Sequence, residues 1–243
     1  AANDLVAQTN DAAAQELLAG AASEAPVYQQ IKAKFIDGGV GFMASVLLCL
    51  ILGLAVAIER IIYLSLSTTN TSKLIAKVEE ALANGGVEAA LEVCRNTRGP
   101  VASIFYQGLS RMDQGLEAVE KSVISYGGVQ AAQLETGLTW LSLFIAMAPN
   151  LGFLGTVIGM IGAFDAIQAA GDISPIVVAS GIKVALITTV AGLIVALILQ
   201  VFFNYITSKV ESLVITMEDA SVSLIDILVK AKIKMIIHLI LHL

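Results

Sequence analysis

The sequence predicts an all-α, polytopic membrane protein with three transmembrane helices and long helices that extend from them into the cytoplasm. Three observations predict it. Of 243 residues, 57% are apolar and only 14% charged, whereas soluble domains carry about 25% charged residues. Charge is nearly absent from three stretches, each long enough to cross a hydrocarbon core of about 30 Å, which takes about 20 helical residues. Between and beyond these stretches, apolar residues recur at helical spacing.

Residues 1–37 form a polar, acidic tail in which Asp4, Asp11, Glu16, Glu24 and Asp37 oppose only Lys32 and Lys34. Residues 1–11 lack the basic and apolar regions of a secretory signal. Val27, Ile31, Phe35 and Ile36 fall near one helical face, the pattern of a short amphipathic helix at an interface. The first span occupies 38–63. Its run 38–58 is uncharged and is closed by Glu59-Arg60, with Tyr63 at headgroup level.

Residues 64–135 read as a helical domain. Leu74, Val78 and Leu82 make a stripe, Asn84-Gly85-Gly86 interrupts it, and Val87, Leu91 and Cys94 resume it. Gly99-Pro100 breaks the pattern again before Ile104, Leu109, Leu116, Val119 and Val123. This segment is too short and discontinuous for an independent enzyme core. The second span, 136–164, is uncharged throughout. A polar connection, DAIQAAGDISP, covers 165–175, and the third span, 176–208, holds a single charge, Lys183. Residues 209–243 continue the helix through Leu213, Met217, Val222 and Leu224.

Lys and Arg set the expected orientation. The middle segment carries Arg60, Lys73, Lys77, Arg95, Arg98, Arg111 and Lys121, the tail carries Lys209, Lys230, Lys232 and Lys234, and the connection carries none. The N-terminus is therefore expected in the periplasm, with the middle domain and C-terminus in the cytoplasm of an inner (cytoplasmic) membrane. The bilayer phospholipid is the expected surrounding. The net charge of −6 says little by itself, and no nucleic-acid partner is expected. Cys49 and Cys94 lie in unlike contexts, so neither a disulfide nor a metal site is expected. His238 and His242 have metal-compatible spacing without accompanying ligands. The tail KAKIKMIIHLILHL reads either as a membrane-associated amphipathic segment or as a cloning remnant.

The chemistry available in the spans is narrow. Gly152, Gly155, Gly159 and Gly162 share a face of span two, and Gly181 and Gly192 lie on a small-residue stripe of span three. Such stripes let membrane helices approach closely, which serves a scaffold as well as a channel. Pro149 removes one backbone hydrogen bond near Asn150. Thr156, Thr188 and Thr189 place hydroxyls at membrane depth. One threonine commonly bonds its own helix, whereas three beside small residues suggest a polar seam. Lys183 either snorkels to the outer headgroups or marks a functional site. No Asp or Glu lies in the apolar runs 38–58, 136–164 and 176–208, so the chain can line a proton path but needs another subunit to bring the titrating acid. No nucleophile–base pair, phosphate loop or metal cluster is visible, and neither enzymatic activity nor a cofactor is expected.

The segment APNLGFLGTVIGMIGAF, residues 148–164, resembles the span-two signature of the MotA/TolQ/ExbB proton-channel family, and ALITTVAGLIVAL, residues 185–197, resembles its span-three signature. The order of spans is similar too, and the likeness covers about 38–225. It lies closest to the ExbB branch, toward which the outward N-tail also points, with a TolQ-like role in envelope maintenance as the alternative. The resemblance implies a homopentamer whose second and third spans line a pore. It implies an ExbD/TolR-like one-span partner carrying a membrane aspartate, and output through a TonB-like protein to active transport across the outer membrane. It makes Thr156 and Thr189 pore-facing and places Glu59 and Arg60 at the cytoplasmic interface. Many members carry glutamate where this chain has Val184, so no role of that acid carries over, and Lys183 becomes a candidate fixed charge near a partner carboxylate.

Overall fold

The computed structural model describes residues 26–171 and 175–241, and among them no residue is in a strand. The helices in chain order are α1 (Val27–Asp37), α2 (Val40–Ser67), α3 (Thr71–Arg95), α4 (Pro100–Leu109), a 3-10 turn at Met112–Gln114, α5 (Leu116–Glu135), α6 (Leu138–Ala170) and α7 (Pro175–Leu241). Three helices, on α2, α6 and α7, are long and apolar enough to cross a membrane. The protein is an all-α, multi-pass membrane protein.

Helix boundaries are not the hydropathy boundaries, and the difference is largest around the connection between the second and third spans. α6 runs on to Ala170, through six residues of the segment expected as a connection, and α7 begins at Pro175. Hydropathy marks where lipid ends, whereas helical hydrogen bonding continues wherever backbone donors still have partners. Proline at the first helical position suits the start of α7, because its missing N–H has no intrahelical acceptor there.

The described residues fall into two compact units, one within Ala1–Leu50 and Ala146–Ala196, the other within Ile51–Ile145 and Leu197–Leu243. The second unit has an apolar core built from the small helices and the C-terminal half of α7. Ile104, Phe105, Leu109, Val119 and Val123 are fully buried in it. Each such side chain contributes about 1.5–3 kcal/mol where the alternative is exposure to water. Along α7 the buried positions Ile206, Val210, Leu213, Met217, Ala220 and Leu224 alternate in steps of four and three, the spacing of a coiled-coil seam. At Gly108 three helices converge: an added Cβ would lie 2.6 Å from Val123 Cγ2 and 3.4 Å from Leu224 Cδ2.

Local signals explain the breaks. Asn70 caps α3, its side chain accepting the Lys73 N–H at 3.1 Å. Within α3, Gly86 takes φ 70, ψ −162, a conformation essentially reserved for glycine. The stripe therefore turns there, with Leu74 and Val78 buried before it and Ala90 and Cys94 after it. On α1, Tyr28, Ile31 and Ile36 are exposed, so its apolar face has no cover among the described residues.

Candidate functional site: a hydroxyl seam between two spans

The site lies in the first unit, where α6 meets α7, and small residues create it. A Cβ added at Gly152 would stand 2.9 Å from the Thr188 carbonyl oxygen, and one at Gly155 would stand 2.8 Å from Thr188 Oγ1. At Gly159 the nearest atom is Ala185 Cβ at 3.4 Å. From the other helix, Gly181 abuts Ala163, and a Cβ added at Gly192 would stand 2.5 Å from the Ala148 carbonyl oxygen. Lipid tails are as apolar as leucine, so close packing of this kind replaces the hydrophobic effect as the force that joins helices. Gly162 stands apart, since an added Cβ there meets nothing within 4 Å. Pro149 lies inside α6 and is half-buried.

The close approach brings the three threonines together. Thr188 is buried and donates to the Ala185 carbonyl at 2.8 Å. Thr156 Oγ1 lies 3.2 Å from both the Gly152 and Ala185 carbonyl oxygens, and Thr189 Oγ1 lies 3.3 Å from the same two. Thr188 also reaches the Gly152 carbonyl, at 3.4 Å. The Thr156 and Thr189 hydroxyls touch each other directly. Three hydroxyls thus share two backbone carbonyls, one from each helix. Each hydroxyl carries one proton and can accept others, so the donors can be redistributed without breaking the packing. The seam offers hydroxyl donors and acceptors but contains no group that titrates near neutral pH.

Lys183 has its carboxylate in this same chain. Its Nζ lies 2.8 Å from Asp37 Oδ2, with side-chain exposures of 56% and 37%. The hydrogen bond from Lys183 holds the Asp37 carboxyl below its ordinary range, against a smaller opposing effect of desolvation. Next to this pair, a Cβ at Gly38 would meet Ile187 Cγ2 at 2.9 Å, so the turn after α1 packs on α7. Asp37 was not among the candidates expected from the sequence. The signal was present: Asp37 is the last charge before span one, Lys183 is the charge entering span three, and their signs are opposite.

In the second unit, Arg60 Nε and Nη2 donate to Glu59 Oε2 and Oε1 at 2.5 and 2.7 Å. The guanidinium sits 4.9 Å from the centroid of the Tyr63 ring and only 13% of the Arg60 side chain is exposed. A Cβ at Gly137 would lie 3.1 Å from Arg60 Cδ and Nε, so Arg60 packs on the turn between α5 and α6. Cys49 and Cys94 are buried and unpaired. Among the described residues no group of three metal-ligating side chains occurs. His242 and the His238 side chain lie outside the described residues.

Residues 96–219, just over half of the chain, match the model of the MotA/TolQ/ExbB proton channel family. The chain is 36% identical to a biopolymer transport protein ExbB homolog of Methanothermobacter thermautotrophicus, over 66% of this chain and 57% of that relative. It is 31% identical to an ExbB-like biopolymer transport protein of Synechocystis, over 72% of this chain and 70% of the relative. It is 46% identical to the biopolymer transport protein exbB1 of Vibrio cholerae over 68 residues, 28% of this chain and 30% of the relative. The match thus spans less than two thirds of two of these relatives. With the span order, the glycine-packed helix pair and its threonines already in place, the matched region joins them in one assignment: the chain belongs to the MotA/TolQ/ExbB proton channel family.

Proposed function

We propose that this chain is an ExbB-like subunit of an inner-membrane, proton-driven motor that passes energy through a TonB-type protein to active transport across the outer membrane. Five copies would surround the transmembrane helix of an ExbD/TolR-like partner, whose aspartate supplies the acid. Thr156, Thr188 and Thr189 would face or back that aspartate and hand protons along their hydroxyls. The N-terminus would be periplasmic and the C-terminus cytoplasmic, in keeping with the placement of Lys and Arg. Each proton crossing brings about 2.3 kcal/mol per 100 mV, so several together suffice for a mechanical step.

The observation that carries this reading is the sharing of two carbonyls by three hydroxyls in spans that hold no Asp or Glu of their own. A hydroxyl network beside a guest acid relays a proton, and without the guest it only joins helices. The test is Thr156→Val and Thr189→Val in the assembled complex. Transport driven by the proton gradient should fall while the oligomer persists. Undiminished iron-siderophore or haem uptake in both variants would remove the basis for the proposal.

The glycine packing favours a second reading, a non-conducting scaffold, because close contact at Gly152 and Gly192 serves assembly as well as conduction. Co-purification of a one-span protein with a membrane aspartate separates the two readings. A TolQ-like subunit would share these features and differ in its client.

A further inference from the structure

Where α2 leaves its apolar run, it forms with α7 a cavity of about 330 Å³ lined by Ile61, Leu64, Ser65, Thr68, Tyr205 and Lys209. A second cavity, of about 130 Å³, shares Thr68 and Lys209 and adds the hydroxyls of Ser212 and Thr216. No acid lines either one. Among the described residues, the Lys209 ammonium has no ion-pair or hydrogen-bond partner, and the hydroxyls of Ser65, Tyr205 and Ser212 have none either. Thr68 is already committed to the Leu64 carbonyl at 2.9 Å. The cavities therefore offer a cation and three free hydroxyl donors, with the apolar wall of Ile61 and Leu64 beside them.

The depth of this cluster identifies what it meets. Residues 184–208 carry no charge, a run long enough to cover a hydrocarbon core of about 30 Å and to reach the headgroup layer beyond. Lys209 is the first charge after that run. Tyr205, one turn earlier, is exposed and of the type enriched at headgroup level. A group that presents an anion, hydroxyl-accepting oxygens and an apolar continuation at this depth is a phosphodiester attached to acyl chains.

We propose that Lys209, with Ser65, Ser212 and Tyr205, forms a binding site for the headgroup of an anionic phospholipid. The phosphodiester oxygens accept from Lys209 and the serines, and the acyl chains run along Ile61. The site stands on the membrane-spanning character of α2 and α7 and does not depend on proton conduction.

The test uses the full chain in nanodiscs of phosphatidylcholine with or without phosphatidylglycerol, read by native mass spectrometry of retained lipid and by the melting temperature. The wild type should retain phosphatidylglycerol over phosphatidylcholine and melt higher in its presence. Lys209→Gln should cut retention by about tenfold, the loss expected for one charge-assisted contact. Lys209→Arg should keep it, the Ser65→Ala/Ser212→Ala pair should lower it, and Lys232→Gln should leave it unchanged. Melting in pure phosphatidylcholine shows that each variant is folded. Equal phosphatidylglycerol retention by wild type and a folded Lys209→Gln overturns the proposal. Displacement of the lipid by inorganic phosphate also overturns it, in favour of a soluble anion.

Discussion

Lys183 and Asp37 join the end of α1 to the early turns of α7, Nζ to Oδ2 at 2.8 Å. This gives the costly charge of span three a partner within the same chain, at the point where α2 is about to begin. A charge near a span end is far less expensive when it is paired and partly hydrated than when it stands alone in lipid. The pair therefore acts as a staple between the entry to span one and the entry to span three.

The staple has a pH signature. The folded Asp37 carboxyl titrates below its ordinary value because of Lys183, so the unfolded chain binds the proton first as pH falls. The stabilisation is present above the unfolded carboxylate value of about 3.9 and is lost as pH drops through the lower folded value. Asp37→Asn should melt below the wild type at neutral pH, and the gap should close in acid and shrink in high salt. The exchange Asp37→Lys with Lys183→Asp should restore much of the loss. A gap that stays constant from neutral to acid pH would assign the effect to something other than this ion pair.

The helix seam separates glycines that matter from one that does not. Gly192→Ala places a methyl against the Ala148 carbonyl, a backbone atom that cannot turn aside, with the clash already at 2.5 Å. Such overpacking costs about 1–3 kcal/mol. Gly162→Ala enters open space and should be neutral or gain up to about 1 kcal/mol from helix propensity. Thermal unfolding of the two variants in the same lipid reads the difference. Equal melting temperatures would mean that α6 and α7 do not meet as described.

Cys94 should be a silent thiol. Burial pushes it up to about 11, which leaves roughly one thiolate in a thousand at pH 8, and the thiolate is the reactive form. In a Cys49→Ala background, alkylation of the native chain should be roughly a hundredfold slower than after unfolding. The unfolded thiol loses its proton near pH 8.5 and the folded one near 11, so stability falls as pH rises through that window. Rapid native labelling would place Cys94 outside the core of the second unit.

Much of the site was legible residue by residue. Threonines at membrane depth, glycines at helical intervals and an absence of acids are all visible in the chain, because in lipid a polar or small residue is an exception to a uniform background. Their meeting was less visible. That Thr156, Thr188 and Thr189 share the Gly152 and Ala185 carbonyls depends on the crossing of two helices, and periodicity reports only which face a residue occupies. Gly162 shows the gap, since it sits within the glycine pattern but off the contact.

The sequence by itself determined the fold class and the three spans, because hydropathy and helical period are local properties and lipid permits few alternatives to a helix. Tertiary structure alone decided which carbonyl each hydroxyl reaches, that Lys183 finds Asp37, and that Lys209 is left without a partner. Those outcomes, the last of them true among the described residues, depend on distances of a few ångströms that no one-dimensional pattern records.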